Sequence, residues 1–136
     1  SVRGIFFRVL KRLFTYRGYH ISNEAQIGDG FSLYHRGTVY IGPIKIGKNC
    51  TVSHNVTIGR ALKGGQIGRP TISDNVWIGT GAVVVGKINI GKDVMIAPNA
   101  FVNFDVPDHS IVIGNPGKII SKENPTKYYI THTIDD

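Results

Sequence analysis

An aliphatic residue recurs every six positions along most of this chain of 136 residues. Glycine often follows it, and the fifth place of each hexad is mostly small or apolar, as at Cys50, Val76 and Ala100. A repeat that keeps its phase over so many hexads constrains the fold more strongly than any other feature of the sequence. The aliphatic first places fall into three runs: Ile21, Ile27, Leu33 and Val39; Ile46, Val52 and Ile58; and Ile72, Ile78, Val84, Ile90, Ile96 and Val102.

A six-residue period describes a short strand followed by a corner. Two side chains of each hexad, at the first and fifth places, point inward and fill a narrow core. Three hexads make one triangular turn of about 18 residues, and successive turns stack at strand spacing, about 4.8 Å. No single turn buries its own apolar face, so the stack is the folding unit. The repeat predicts an all-β fold, a parallel β-helix of about five turns over residues 21–113, with Cys50 as an inward structural residue.

Composition agrees with strands and narrows the function classes. Ile and Val together number 32, whereas Leu and Ala together number 9, and β-branched residues favour strands. The net charge is +7, but five basic residues and no acid lie in residues 1–20, which argues against a nucleic-acid-binding surface. The single cysteine excludes an internal disulfide and a cysteine-built zinc site. We find no signal peptide and no apolar run that could span a bilayer, so we expect a cytoplasmic protein.

Three segments depart from the repeat. Residues 1–20 place apolar side chains at helical spacing with basic residues between them, which predicts a short amphipathic helix. That helix either packs as a lid on the first coil, the interpretation we prefer, or lies peripherally on the anionic inner membrane. Residues 60–71, which include Gly64 and Gly65, predict one extruded loop. Residues 114–136 form a C-terminal turn and a polar tail.

Two histidines occupy the same place in the repeat. His35 and His54 are the third residues of hexads that lie three apart, so the coil places them on the same outer face of adjacent turns. Their backbones should lie about 5–7 Å apart, the spacing of adjacent strands plus stagger. A neutral imidazole near pH 7 suits general-base catalysis. A lone outward histidine is usually a surface residue, and a stacked pair carries more weight, so the residues alone leave two interpretations open: a pair of surface residues or a catalytic site.

The hexads IGDGFS, IGKNCT, VSHNVT, ISDNVW, IGTGAV, IGKDVM and IAPNAF resemble those of the hexapeptide-repeat acyltransferases, over about residues 20–120. The resemblance implies a left-handed coil, whereas the usual crossover rule would give the opposite hand. It also implies a homotrimer with active sites between subunits. Acetyl-CoA would be the co-substrate, without a metal, and the acetyl group would pass directly to the acceptor in a ternary complex.

The segment LYHRGTVYIG, followed by VTIG and a Gly-Gly loop, is similar to the serine acetyltransferase branch. This similarity implies that His35 is the general base and leaves His54 as an alternative base or an acceptor contact. Two acids of that branch are replaced here by His20 and Tyr34, and its loop histidine by Arg69. The acyl-transfer residues are therefore retained, whereas the serine-recognition residues are largely changed.

Matching places imply where the cofactor and the acceptor bind. The two lysines of the cofactor set would meet the 3′-phosphate, and Trp77 should face a subunit interface or the cofactor. The candidate coenzyme A contacts are Gly79, Thr80, Ala97, Pro98, Lys118 and Lys122. The candidate acceptor contacts are Tyr34, Arg36, Tyr40 and Arg69.

The whole-chain pattern looks most like bacterial O-acetyltransferases of capsule and O-antigen clusters. It predicts an acetyl-CoA-dependent O-acetyltransferase that modifies a sugar hydroxyl in surface polysaccharide biosynthesis. Serine O-acetyltransferase and amino-sugar N-acetyltransferase are the alternative activities. Two further classes are disfavoured: a metal hydratase of the carbonic anhydrase kind, which would need His109 to converge with the other two histidines, and a non-catalytic scaffold.

Overall fold

The computed structural model describes residues 1–135, without the side chains of residues 14–16. Within that part of the chain, one helix, α1 (Val2–Tyr16), precedes fifteen short strands that form the three faces of a coil. Face 1 contains β1 (Tyr19–Ile21), β4 (Val39–Ile41), β7 (Val56–Gly59), β10 (Val83–Val85) and β13 (Phe101–Val102). Face 2 contains β2 (Gln26–Ile27), β5 (Lys45–Ile46), β8 (Thr71–Ile72) and β11 (Asn89–Ile90). Face 3 contains β3 (Ser32–Tyr34), β6 (Thr51–Ser53), β9 (Val76–Ile78), β12 (Val94–Ile96), β14 (Ser110–Ile113) and β15 (Lys118–Ser121).

The strands of each face pair in parallel with the strand one turn further along the chain. The antiparallel pairing of β14 with β15 is the exception, and it adds a hairpin at the C-terminal end of the coil. The prediction of an all-β parallel solenoid of about five turns with one short N-terminal helix is confirmed. The architecture is consistent with a left-handed β-helix.

The core is a narrow column of β-branched side chains along the axis of the coil. First-place residues such as Ile58, Ile78 and Ile96 are fully buried, as the hexad pattern requires. Cys50 lies among them, and burial raises the pKa of its thiol to about 11. The thiol is therefore protonated near neutral pH, in agreement with a structural role.

The register differs from the hexad prediction at one point. Val39 pairs with Val56, and Ile41 pairs with Ile58, so Val39 occupies a fifth place rather than a first place. The cause is a longer corner, because residues 35–38 connect β3 to β4 whereas only residues 54–55 connect the strands one turn later. The longer corner begins with His35, directly after Tyr34 at the end of β3.

The extruded loop leaves face 1 after β7. Ala61 and Gly68 exchange two backbone hydrogen bonds across its base, at 2.9 and 3.2 Å. The loop is one residue shorter than predicted, because Thr71 already belongs to β8. It joins face 1 to face 2, on the side of face 1 away from the corner that carries His35.

The C-terminal segment after β15 runs back over the earlier turns. Its Thr126 contacts Asp93, and the backbone of Ile134 forms two hydrogen bonds with the side chain of Asn49. The Trp77 ring lies 4.8 Å from the ring of Tyr129, measured between centroids. Trp77 thus packs against its own chain, which neither of the two expectations for this residue included.

Candidate active site

The corner between face 3 and face 1, which we call the histidine corner, carries the two stacked histidines. It comprises residues 35–38, 54–55, 79–82 and 97–100 on successive turns. Backbone hydrogen bonds fix the spacing of these turns: the Gly81 N–H donates to the His54 carbonyl at 3.2 Å, and the Asn99 N–H donates to the Thr80 carbonyl at 2.9 Å. Side chains on this corner therefore form a column with strand spacing.

His35 and His54 are neighbours in this column. Leu33 pairs with Val52 in the strands that lead into the corner, so the two histidines are brought to the same level of adjacent turns. Their ring centroids lie 5.5 Å apart, with the ring planes at 89°. The predicted juxtaposition is therefore present in the structure.

The backbone of His35 is held in an unusual conformation. Its φ of 66° lies in the left-handed region, which is uncommon for residues other than glycine, although asparagine, aspartate and histidine adopt it more often than most. The Tyr19 hydroxyl donates a hydrogen bond to the His35 carbonyl at 3.2 Å and braces this conformation. The imidazole itself is exposed, and the Tyr34 ring packs edge-on against it at 5.7 Å.

His54 is held by Thr80 on the next turn. The Thr80 hydroxyl donates to the His54 carbonyl at 2.9 Å, and its oxygen lies 3.1 Å from Nε2 of His54. With the hydroxyl proton assigned to the carbonyl, the tautomer that completes this contact carries its hydrogen on Nε2 and donates it to Thr80. The bare nitrogen of His54 is then Nδ1, which is buried and has no hydrogen-bond partner among residues 1–135.

This arrangement distinguishes the two histidines chemically. A general base must present an unprotonated ring nitrogen to the hydroxyl of the acceptor. His54 has its lone pair buried and its N–H directed at Thr80, whereas the His35 ring is exposed. The geometry therefore favours His35 over His54 for proton abstraction, and sequence reasoning alone did not find Thr80 as the partner of His54.

The other acceptor candidates lie at different distances from this pair. Tyr34 contacts His35, and exposed Arg36 follows on the same corner. Tyr40 lies on β4 of face 1, and Arg69 lies exposed on the extruded loop, on the side of face 1 away from the histidine corner. The structure thus brings the Tyr34 ring to His35, leaves Arg36 exposed on the same corner, and places Arg69 of the same protomer elsewhere.

Comparison with known proteins identifies the repeat. The family described as bacterial transferase hexapeptide (six repeats) matches residues 69–103. The later turns of the coil therefore match this hexapeptide repeat. The serine acetyltransferase of Bacillus pumilus is 42% identical over 112 residues, which are 82% of this chain and 51% of that protein. The chain spans about half the length of the curated relatives it matches.

Solved structures give the same picture. The serine acetyltransferase of Neisseria gonorrhoeae in complex with serine superimposes with a TM-score of 0.74 at 34% identity, over 88% of this chain and 49% of that chain. The serine acetyltransferase of Brucella abortus in complex with coenzyme A superimposes with a TM-score of 0.66 at 33% identity, over 74% of this chain and 40% of that chain. The similarity therefore covers most of this chain but less than half of those proteins.

Four of the candidate cofactor residues continue the histidine column of the hexapeptide coil: Gly79 and Thr80 on one turn, and Ala97 and Pro98 on the next. A Cβ at Gly79 would lie 2.6 Å from the Pro98 nitrogen, so only glycine fits there. The Gly79 and Ala97 N–H groups donate to Ile96 and Val112 in the ladder. These two residues could contact a cofactor only through other atoms.

The two candidate phosphate-binding lysines are separated by the structure. Lys118 begins β15 and pairs with Ile113, at the end of the strand next to the histidine corner. Lys122 follows the opposite end of that strand, where its N–H donates to the His109 carbonyl at 2.9 Å. Four strand residues span about 13 Å, so only Lys118 remains beside the histidine column.

His109 lies at a different corner from the other two histidines. The corner between face 2 and face 3, which we call the tail corner, comprises residues 28–31, 47–50, 73–75, 91–93 and 107–109. There Nδ1 of His109 lies 2.7 Å from Oδ2 of Asp93. The three histidines of the hydratase interpretation do not converge, and no group of three metal-binding side chains is present in the described part of the chain.

Two side chains at the tail corner, Asp93 and His109, have shifted pKa values. Burial opposes ionisation of Asp93, but hydrogen bonds from Thr126 and His109 outweigh it and hold the pKa of this carboxyl below its ordinary value of 3.8. The hydrogen bond to Asp93 raises the pKa of His109 above its ordinary value of 6.5, and the charges of Asp93, Asp108 and Glu123 act in the same direction. These shifts stabilise the attachment of the C-terminal segment and lie outside the candidate active site.

Proposed function

We propose that this chain is an acetyl-CoA-dependent O-acetyltransferase in which His35 is the general base. The observation that carries the proposal is the exposed His35 imidazole at the head of a corner column that also contains Thr80 and Pro98. The similarity to a serine acetyltransferase in complex with coenzyme A supports the same assignment of the donor. The protein contributes a base and backbone groups, and acetyl-CoA supplies the activated acyl group.

In the proposed reaction, His35 takes the proton of the acceptor hydroxyl as its oxygen attacks the thioester carbon of acetyl-CoA. The carbon–sulfur bond of the tetrahedral intermediate then breaks, and the protonated imidazole returns the proton to the departing thiolate. Transfer is direct, because Cys50 is buried and its raised pKa leaves the thiol protonated. His54, fixed by Thr80, acts beside the base as a positioning residue.

L-serine is the acceptor that the comparisons support. The Bacillus pumilus relative and the two solved structures named above are serine acetyltransferases, and one of these structures is a complex with serine. For this chain the acceptor hydroxyl would approach His35 between Tyr34 and Arg36. The exposed Arg36 guanidinium offers a partner for the carboxylate of an amino acid.

A sugar hydroxyl is a second candidate, and one feature of face 1 favours it. His20 pairs with Tyr40 across β1 and β4, and their rings stack with centroids 5.6 Å apart and planes at 27°. The Tyr40 ring extends over Gly59, where a Cβ would lie 3.3 Å from Cε1. This exposed aromatic surface, which sequence reasoning recognised only at Tyr40, is suited to stacking against a pyranose ring.

The experiment follows coenzyme A release from acetyl-CoA as free thiol, with L-serine, hexoses and hexosamines as separate acceptors. We expect L-serine-dependent turnover above the hydrolysis background that His35→Asn abolishes. Turnover with sugars alone, reduced by Tyr40→Leu, would replace L-serine by the second candidate. Hydrolysis without dependence on any acceptor, unchanged in His35→Asn, would reject the proposed activity.

We further propose that the active form is a homotrimer with sites between subunits. His35 lies on the outer surface of a coil, so one protomer encloses it from one side only. A closed cyclic assembly would place a neighbouring coil against the histidine corner. Sedimentation equilibrium should give three times the mass of the chain, and an active monomer would contradict this part of the proposal.

A further inference from the structure

Helix α1 carries an apolar stripe that faces away from the coil. At 100° per residue, its members fall within an arc of about 100° on one side of the helix. All of them are more than half exposed, with exposed fractions between 53% and 85%. The stripe consists of Val2, Ile5, Phe6, Val9 and Leu13.

The helix meets the first turn of the coil through its opposite side. Phe7, Arg8, Leu10 and Lys11 line a cavity there together with Asn23, and Leu10 is half-buried. Contact between α1 and the coil on this side therefore leaves the stripe uncovered. The preferred interpretation of the sequence accounts for the contact between helix and coil, and it does not account for the stripe.

The charges around the stripe have a single sign. Arg3 lies on one flank of the stripe and Arg12 on the other, Arg8 lies beyond Arg12 toward the cavity that faces the coil, and residues 1–20 contain no acid. Among the described residues, no helix is long and apolar enough to cross a bilayer. An apolar stripe with basic flanks is complementary to the interface of a bilayer with acidic lipids, where anionic headgroups cover apolar acyl chains.

We propose that α1 binds the surface of an anionic bilayer, with its apolar stripe among the acyl chains and its arginines against lipid phosphates. The N-terminal end of the coil would then lie next to the membrane, because α1 contacts the coil at β1. This attachment is independent of the proposed acetyl transfer, since the histidine corner begins at residue 35, beyond the helix.

Co-sedimentation of the full chain with vesicles tests the proposal. Vesicles of phosphatidylcholine alone are compared with vesicles that contain equal parts of phosphatidylcholine and phosphatidylglycerol. We expect at least about tenfold tighter binding to the anionic vesicles, weakened by added salt, because both apolar burial and basic residues contribute. Equal binding to both kinds of vesicle, or no binding to either, would overturn the proposal.

The chain offers a matched pair of variants. Phe6 and Phe7 are adjacent and similarly exposed, at 61% and 70%, but only Phe6 belongs to the stripe. Phe6→Ser should weaken binding to anionic vesicles by about tenfold, and Phe7→Ser by no more than about twofold. Equal effects of the two variants, or a Phe6→Ser variant that leaves vesicle binding intact and lowers the sedimentation mass, would assign the stripe to a protein contact instead. Unchanged circular dichroism shows that the coil remains folded in each variant.

Discussion

The histidine corner and the tail corner both turn through residues with a left-handed backbone, but the side chains of these residues make different contacts. At the tail corner, Asn49 and Asp93 adopt φ values of 55° and 53°, and at the histidine corner His35 and Asn55 adopt 66° and 58°. Each corner therefore turns through a left-handed residue, which asparagine and aspartate tolerate better than most side chains. At the tail corner, however, the side chains of Asn49 and Asp93 form hydrogen bonds with the C-terminal segment, whereas the ring of His35 is exposed.

The difference shows that position in the repeat alone does not define a functional residue. His109 and His35 both lie at corners with positive φ and both are exposed. His109 donates to a carboxylate whose other oxygen accepts from Thr126, so it belongs to a closed structural network. His35 has only ring contacts with Tyr34 and His54 among the described residues, which leaves its nitrogens available to a substrate.

The largest expected effect separates the two histidines by one substitution made at both. Asparagine keeps the left-handed backbone, so His35→Asn and His109→Asn change the side chain with little strain. Removal of a general base lowers kcat/KM for acetyl transfer by about 100-fold to 10,000-fold. We expect this loss in His35→Asn and less than about a twofold change in His109→Asn. The measurement is the initial rate of thiol release at saturating acetyl-CoA.

Equal losses in the two variants would show that either corner affects activity through folding alone. Full activity of His35→Asn together with a large loss in His54→Asn would transfer the role of base to His54. Either outcome would remove the chemical distinction drawn from the exposure of the two rings.

The second prediction removes the network at the tail corner. Asp93→Gly keeps the positive φ, as Gly30 does on the same ladder, and deletes the carboxylate that binds Thr126 and His109. A hydrogen bond to a charged group contributes about 1.5–3 kcal/mol, so the open state of the tail should become about tenfold to 100-fold more populated. Emission of Trp77, the single tryptophan, should shift to longer wavelength because Tyr129 leaves its ring.

The matched control is Asn99→Gly, which makes the same kind of substitution at a left-handed residue of the histidine corner, where φ is 60°. This variant should leave the Trp77 emission unchanged. If both variants shift the emission equally, the tail reports on general loosening of the coil and not on its own attachment. Thr126→Val gives the intermediate case, since it removes the hydroxyl and retains the Asp93–His109 pair.

The sequence predicted the faces of the coil and the juxtaposition of His35 with His54, because strand register converts a fixed spacing into spatial neighbours. It did not predict the Thr80–His54 contact, which depends on how one ring turns within its corner. The sequence also did not predict where the C-terminal segment binds the coil, because residues 122–135 show no periodicity. One signal for this binding site was nevertheless present. Polar residues such as Asn49 and Asp93 occupy the fourth place of their hexads on successive turns of the coil.

The third prediction concerns the hydrogen bond that holds His54. Thr80→Val deletes the acceptor of the Nε2 hydrogen with little change in shape, and one such bond contributes about 1 kcal/mol, or about fivefold in an equilibrium. If His54 positions the acceptor beside His35, KM for the acceptor should rise, whereas a rise confined to KM for acetyl-CoA would assign the Thr80 hydroxyl to the cofactor. Thr80→Ser should restore the wild-type value. An unchanged KM in Thr80→Val would reduce the contact to a structural one.

The smallest effect is expected from pH at the tail corner. The lowered pKa of Asp93 stabilises the docked tail above its ordinary value of 3.8, and this contribution is lost as the pH falls through the folded pKa. The raised pKa of His109 stabilises the tail below 6.5, and this contribution is lost as the pH rises through the folded pKa. Docking should therefore be tightest between these two values and loosen slightly on the alkaline side, where the bonds from Thr126 to Asp93 persist. The charged groups that face this pair are Asp108, Glu123 and Lys127. A His109→Asn variant whose Trp77 emission keeps the alkaline transition would show that another group causes it.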